Sequence, residues 1–207
     1  MSDKLISLLK KANPRAFHEE VRSILEREET PSLAGATFRE LTLTGVDFSD
    51  IDLTNTAFEA CTISESRFVS STLDGAFFDA VTLLHCHFEG GSFENFAIDA
   101  STLSRCSFQD LSFVENEWTD CRLNDSTFLN LFAESLWWER VTFQGGIWRN
   151  FQIDGATFTH VTLRDLQIND LEANDLSAKN SYYVDTALIG STWPEGFLEK
   201  SGRRKTL

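Results

Sequence analysis

The 207-residue chain carries 18 Lys and Arg against 32 Asp and Glu, a formal net charge of −14. That balance argues against direct binding to nucleic acid, because phosphate contacts need Lys and Arg. With only 3 Pro and 11 Gly beside 18 Phe, the composition is not that of a disordered segment, and the length allows one sizeable core.

Taken in chain order, residues 2–12 and 14–29 are predicted to form two short helices. Asn13 is placed to cap the second, with Pro14 at its first position. Phe17, Val21, Ile24 and Leu25 make an apolar stripe on it, as a cover for one end of the following domain requires. The opening MSDKLISLLKKANPR lacks the apolar run of a secretory signal, and no stretch approaches the ~18 apolar residues of a membrane span. The expected location is the cytoplasm.

A repeat follows. Residues 35–61 read GATFRELTLTGVDFSDIDLTNTAFEAC, with a large apolar residue at every fifth position: Phe38, Leu43, Phe48, Leu53, Phe58. Five steps along an α-helix leave side chains about 140° apart, and five steps along a strand put them on opposite faces. Neither element buries such a row on one side, so the chain has to turn a corner once per five residues. The row keeps its phase to Trp193. Of its 32 positions, Ala133, Ala173 and Ala178 are the exceptions; the other 29 are Phe, Leu, Ile, Trp or Tyr, against about nine expected from composition.

A second, smaller row sits two residues earlier: Ala36, Leu41, Val46, Ile51, Cys61, Ala76, Val81, Cys86, Cys106, Leu111 and Cys121. Positions two apart share a face of extended chain, so each unit has one smaller and one large inward residue. The fifth position holds Gly45, Asp50, Asn55, Gly75, Gly90, Asn95, Asp110, Asp120, Asp125 and Asn130, residues that favour turns. The unit is a short extended side followed by a corner.

The stretches GATFRE, GVDFSD, DIDLTN and NTAFEA resemble the A-(D/N)-L-x-x pattern of the pentapeptide-repeat family, and the likeness runs over about 160 residues. Thr often stands where the family favours Asp or Asn, as in ELTLTG, AVTLLH and HVTLRD, at a position that points outward. The resemblance implies an all-β solenoid, a right-handed quadrilateral β-helix of about eight coils with four units per coil. It would span residues 32–194, with residues 1–31 as a helical cap. Residues 195–207 would form a tail whose Phe197 and Leu198 close the far end or pair two chains. Residue n would then stack under n+20. Phe48, Phe68, Phe88, Phe108 and Phe128 would form one internal ladder, and Leu43, Ile63, Leu83, Leu103 and Leu123 another.

All four Cys fall on the smaller row and are expected to be buried free thiols. Cys86 and Cys106 would stack on adjacent coils with parallel side chains, poor geometry for a disulfide. In His85-Cys86-His87 the central thiol points inward, His87 points outward and His85 sits at a corner, so one metal cannot collect all three. No metal or cofactor is expected. The four His share no column, and there is no nucleophile elbow, phosphate-binding loop or zinc-protease motif. The chain therefore reads as non-enzymatic, without catalytic residues.

Charge sorts by side. The side centred on Leu53, Leu73 and Phe93 carries Asp52, Asp74, Glu94, Glu115, Glu134, Asp154, Glu172 and Asp175 and no Lys or Arg. The side centred on Phe38 carries seven acids and three bases. That centred on Leu43 carries a Thr ladder with four acids and three bases. Carboxylates one coil apart repel by roughly 0.9 kcal/mol even in water, so such a column is costly unless it has a use; solubility is the plain one. The resemblance supplies another, because members that confer quinolone resistance resemble DNA and bind the type II topoisomerase DNA gyrase. It implies a bacterial DNA mimic whose partner is DNA gyrase or topoisomerase IV, acting as a monomer or homodimer. The alternative is a general interaction scaffold. Outward apolar residues Phe77, Val114, Leu129, Phe132, Trp137, Ile147 and Tyr182 lie mostly in the C-terminal half, with Phe132 and Trp137 near one corner.

Overall fold

The computed structural model describes residues 2–191 and the backbone of the two-residue strand Leu198–Glu199. The expected roles of Trp193 and of the Phe197 and Leu198 side chains lie outside the described residues.

From Gly35 to Gly190 the fifth residue of every unit has φ between 47° and 70°. This left-handed conformation suits Gly, Asn and Asp best, and it turns the chain onto the next side. Between corners, parallel pairing steps by twenty residues: Phe38 with Phe58, Leu43 with Ile63, Phe68 with Phe88, Trp138 with Phe158. Twenty residues at five per side make four sides. We name them by their first large residues: the Phe38, Leu43, Phe48 and Leu53 sides. Between residues 32 and 191 no insertion breaks the stride, and the strands Arg122–Glu139 and Thr142–Thr159 carry their pairing through successive corners.

Every member of the large row from Phe38 to Ile168 is buried. The inward row begins one unit before Phe38, since Leu33 is fully buried and Ser32 bridges to Asp52. At the other end burial fades: Ala173, Leu176, Ala178, Tyr183 and Leu188 are only partly covered. There Leu198–Glu199 pairs with Tyr182–Tyr183, off the twenty-residue stride.

The Phe ladder stacks at centroid spacings of 4.7, 4.6, 4.8 and 5.0 Å from Phe48 to Phe128. This is the coil repeat, close to ordinary strand spacing. Ala133 is compensated within its own coil. Trp138, Phe143 and Trp148 occupy the next three sides, and the two indoles meet at 5.8 Å. The indole N–H groups of Trp118, Trp138 and Trp148 are buried without a hydrogen-bond partner. Each such donor costs about 1–3 kcal/mol, so it is ring volume that selects these residues.

The second row is less uniform than its sequence suggests. Gly91 and Gly146 occupy it with φ of 84° and 102°, and each is followed one unit later by a buried Phe, Phe96 and Phe151. With no side chain at one corner, the next corner fills the interior: Phe96 meets Phe78 at 5.2 Å, and Phe151 meets Trp148 at 5.6 Å. Elsewhere in this row buried Ser66, Ser101, Ser126 and Ser181 accept from the backbone N–H of Val46, Val81, Cys106 and Val161, one coil back. These hydroxyls satisfy corner donors that would otherwise be orphaned. The four Cys are buried and free. Burial pushes the Cys121 thiol up to about 12 and raises that of Cys61. The contact with Cys86, with burial added, holds Cys106 well above the ordinary thiol range.

The cap is two helices, α1 (Ser2–Lys10) and α2 (Pro14–Leu25), both shorter than predicted. The second stops before Glu28 and Glu29, whose negative charge opposes the helix C-terminus, and Glu28 turns left-handed with φ 58°. Asn13 caps α2 through its Oδ1, which accepts from the Ala16 N–H at 3.1 Å. Phe17, Val21 and Ile24 are buried, and Phe17 meets Phe48 edge-on at 5.9 Å. Leu25, expected on the same stripe, is instead 41% exposed at the last position of the helix. His18 fastens the cap, its Nε2 accepting from the Asp47 backbone N–H at 2.8 Å. Replacing His18 by Ala removes that bond and leaves the exposed N–H to water, and a loss of about 0.5–1.5 kcal/mol is expected. A shift of the urea midpoint checks it, and no shift would deny His18 this role.

Candidate protein-interaction surface

The twenty-residue register gathers the Leu53-side acids on one side, in three adjacent columns, without Lys or Arg. Glu94, Glu115, Glu134, Asp154, Glu172 and Asp175 are exposed; Asp52 and Asp74 are half-buried. In one column Glu94 and Glu134 flank Val114, and Glu134 pairs directly with Asp154, followed by Asn174.

The column is less costly than carboxylates stacked in water suggest, because the two innermost acids are tied into the coil. Asp74 Oδ1 accepts from Ser92 Oγ at 2.6 Å and from the Glu94 N–H at 2.9 Å. Asp52 accepts from Ser32 Oγ at 2.9 Å and from the Thr54 N–H at 3.0 Å. Burial pushes the Asp52 carboxyl up, but the bonds from Thr54 and Ser32 outweigh it and hold it below the usual carboxylate range. Of the exposed acids, Glu172 accepts one bond, from Gln152 Nε2 at 3.3 Å; Glu94, Glu115, Glu134 and Asp154 have no such tie among the described residues.

The Phe38 side shows the contrast. Arg39 grips Glu59 through two bonds of 2.6 and 3.1 Å, and Arg140 grips Asp120 at 2.6 and 2.8 Å while also contacting Glu139. Exposed pairs like these contribute about 0–1 kcal/mol, but they neutralise the surface locally. The Leu53 side has no base with which to do so.

Phe132 is 39% exposed and Trp137 47%. They lie on adjacent sides and their rings do not touch, so the aromatic patch is two separate anchors. Phe77 and Ile147 are exposed, whereas Val114, Leu129 and Tyr182 are half-covered by their neighbours along the coil. His85 sits at a left-handed corner with φ 54°, Cys86 is buried, and His87 pairs with Glu89 at 2.8 Å. Among the described residues no three His, Cys, Asp or Glu side chains gather as metal ligands would.

The repeat reading did not single out the corner between the Phe48 and Leu53 sides. There Asn130 Nδ2 donates to Asp110 Oδ1 at 2.9 Å, and Asn150 Nδ2 donates to Asn130 Oδ1 at 2.9 Å. The signal available in the sequence was Asp and Asn recurring at twenty-residue intervals.

These features define a four-sided parallel β-solenoid with a continuous acidic side. Residues 32–68 match the family model for pentapeptide repeats, eight copies, and the same five-residue period continues through the described coil; the chain is a pentapeptide-repeat protein. It is similar to a trypsin-treated form of QnrB1, a plasmid-mediated fluoroquinolone resistance protein, at a TM-score of 0.58 and 16% identity, covering 75% of this chain and 83% of that one. A second trypsin-treated form of QnrB1 gives 0.50 and 17%, covering 84% and 88%. HetL, a pentapeptide-repeat protein involved in heterocyst differentiation regulation from the cyanobacterium Nostoc sp., gives 0.49 and 14%, covering 88% and 93%. At these identities the likeness is one of fold. No curated protein sequence matches the chain. No helix among the described residues is long and apolar enough to cross a membrane.

Proposed function

We propose that the chain is a non-enzymatic protein-interaction module in the bacterial cytoplasm, presenting its Leu53 side to a basic surface of a protein partner. In the finer reading the acidic rod stands in for DNA and occupies the DNA-binding groove of a type II topoisomerase, DNA gyrase or topoisomerase IV, lowering the effect of drugs that poison the enzyme. The observation that carries the reading is the base-free row of exposed carboxylates along one side. The shared fold with QnrB1, a fluoroquinolone resistance protein, supports it.

The test is DNA gyrase supercoiling, with and without a quinolone, against increasing amounts of this protein. The control carries Glu94, Glu115, Glu134 and Asp154 changed to Lys, all exposed and none tied into the coil. The native chain is expected to inhibit supercoiling or protect against the drug. The variant should need about tenfold more protein or more, and the native effect should weaken as salt rises. No effect at micromolar protein, or equal effects of both chains, would sink the topoisomerase reading. A salt-tolerant effect lost on changing Trp137 to Thr would favour the scaffold reading instead.

A further inference from the structure

We propose that the N-terminal edge of the coil, on the Phe38 and Leu43 sides, takes an extended acidic segment of a partner protein as one more strand. The proposal rests neither on the acidic Leu53 side nor on a topoisomerase partner. In the coils that follow, the outward N–H groups of these two sides donate one coil back: Ala57 to Ala36, Thr62 to Leu41, Phe77 to Thr56 and Thr82 to Cys61, at 2.8–2.9 Å. The first coil has no coil behind it. Thr37, Arg39, Thr42 and Thr44 are exposed, and their N–H groups donate no hydrogen bond among the described residues.

The chain finishes the same edge on its other two sides. On the Phe48 side the Asp47 N–H donates to His18 Nε2 at 2.8 Å and the Ser49 N–H to Asp47 Oδ1 at 3.1 Å. On the Leu53 side the Asp52 N–H donates to the Pro31 carbonyl at 2.9 Å, and the Thr54 N–H to Asp52 Oδ1 at 3.0 Å. A strand edge left open is a template for another strand, and an extended peptide binds such an edge through main-chain hydrogen bonds. The far end of this chain cannot supply that strand. Glu199 pairs with Tyr183, seven coil steps from Leu43, about 33 Å at the strand spacing. Residues 200–207 span at most about 29 Å.

The edge also says what kind of segment fits. A groove of about 490 Å³ runs beside it, lined by Lys10, Thr37, Arg39 and Leu41. Leu41 is half-buried and packs against the core, so it gives the groove an apolar floor. Arg39 is already gripped by Glu59. Lys10, at the end of α1, is exposed and forms no ion pair among the described residues. The matching segment carries an apolar side chain for Leu41 and a carboxylate for Lys10. An extended chain supplies both by alternation, since successive side chains point to opposite faces. A second coil of this protein does not fit the same place, because the cap stands on this end of the rod, with Phe17 of α2 against Phe48.

The test combines fluorescence anisotropy with amide hydrogen exchange, using labelled octapeptides of alternating Asp and Val, of alternating Lys and Val, and the Asp–Val peptide methylated on alternate backbone nitrogens. Three full-length chains are compared: native, Lys10→Ala, and the edge variant Thr37→Pro with Thr42→Pro. Proline is tolerated on an edge strand and removes the donor, and a circular dichroism melt confirms folding. The native chain is expected to bind the Asp–Val peptide about tenfold tighter than either of the others, the factor that one or two main-chain bonds supply. Exchange at Thr37, Arg39, Thr42 and Thr44 should slow about tenfold on binding, the same factor. The edge variant should lose that binding, and Lys10→Ala should narrow the preference for Asp over Lys. No binding at millimolar peptide overturns the proposal, as do binding that survives in the edge variant, equal binding of the methylated peptide, and protection that falls elsewhere on the coil. Equal binding of the Lys–Val peptide overturns the acidic occupant. Protection of residues 36–45 that grows with protein concentration alone would assign the edge to a second copy and overturn the partner strand. The methylated peptide keeps the test decisive if the edge variant fails to fold.

Discussion

Replacing Phe88 by Ala is expected to lower the stability of the coil by about 3–5 kcal/mol, the usual range for deleting a buried ring. Phe88 is fully buried at the middle of the ladder. It stacks on Phe68 at 4.6 Å with 8° between planes and on Phe108 at 4.8 Å with 5°, and it meets Phe93 edge-on at 6.2 Å. The substitution removes three ring contacts at once and leaves a cavity that the coil cannot collapse around, because its corners are set by backbone on all four sides. A solenoid is held by nearest-neighbour contacts between coils, so the loss should divide the rod into two halves with separate transitions. Phe88→Leu keeps most of the volume and should cost under about 1.5 kcal/mol. Urea denaturation followed by tryptophan fluorescence reads the C-terminal half, where all the tryptophans lie; circular dichroism reads both. Coincident transitions with a loss below about 1 kcal/mol for Phe88→Ala would mean that the ladder is not the main stabiliser.

Gly91→Ala is expected to destabilise by about 3 kcal/mol or more, although it adds one methyl group near the surface. A Cβ at Gly91 would fall 2.1 Å from the carbonyl oxygen of Ser71 and 2.9 Å from its nitrogen, both backbone atoms of the coil below. The neighbour cannot rotate away, so the pairing between coils must open. The left-handed backbone, φ 84°, adds strain of about 1–3 kcal/mol for a residue with a side chain. Gly45 is the control. It also has positive φ, 65°, but nothing lies within 4 Å of a Cβ built there. Gly45→Asn is therefore expected to change stability by less than about 1 kcal/mol, since Asn tolerates the conformation. Thermal melts of the two variants decide the matter: equal shifts would show that the clash at Gly91 is relieved cheaply.

How far the chain could be read beforehand differs from part to part, for physical reasons. The five-residue row from Phe38 to Ile168 was legible because burial acts on one position per unit, and the unit never changes length. The acidic side followed from the same arithmetic, since residues twenty apart share a column once four units make a turn. Asn13 and Pro14 announced the start of α2 because capping is local. The end of that helix was not announced, because whether Leu25 is covered depends on where the coil stops beneath it.

By itself the sequence determined the period, the inward and outward faces and the corner residues, all of which are functions of position within a unit; the charge of each side followed only once the family resemblance supplied four units per coil. Tertiary structure decided what depends on side chains meeting, across the interior of one coil or between neighbouring coils. It placed Ser92 against Asp74, so that one acid of the row became part of the scaffold. It let Trp138 and Trp148 fill the interior that Ala133 leaves. It separated Phe132 from Trp137, and it joined Asp110, Asn130 and Asn150 into a directed ladder. Those outcomes turn on side-chain distances across the interior and between coils. A periodic pattern specifies which residues are neighbours there, but packing specifies which of their atoms meet.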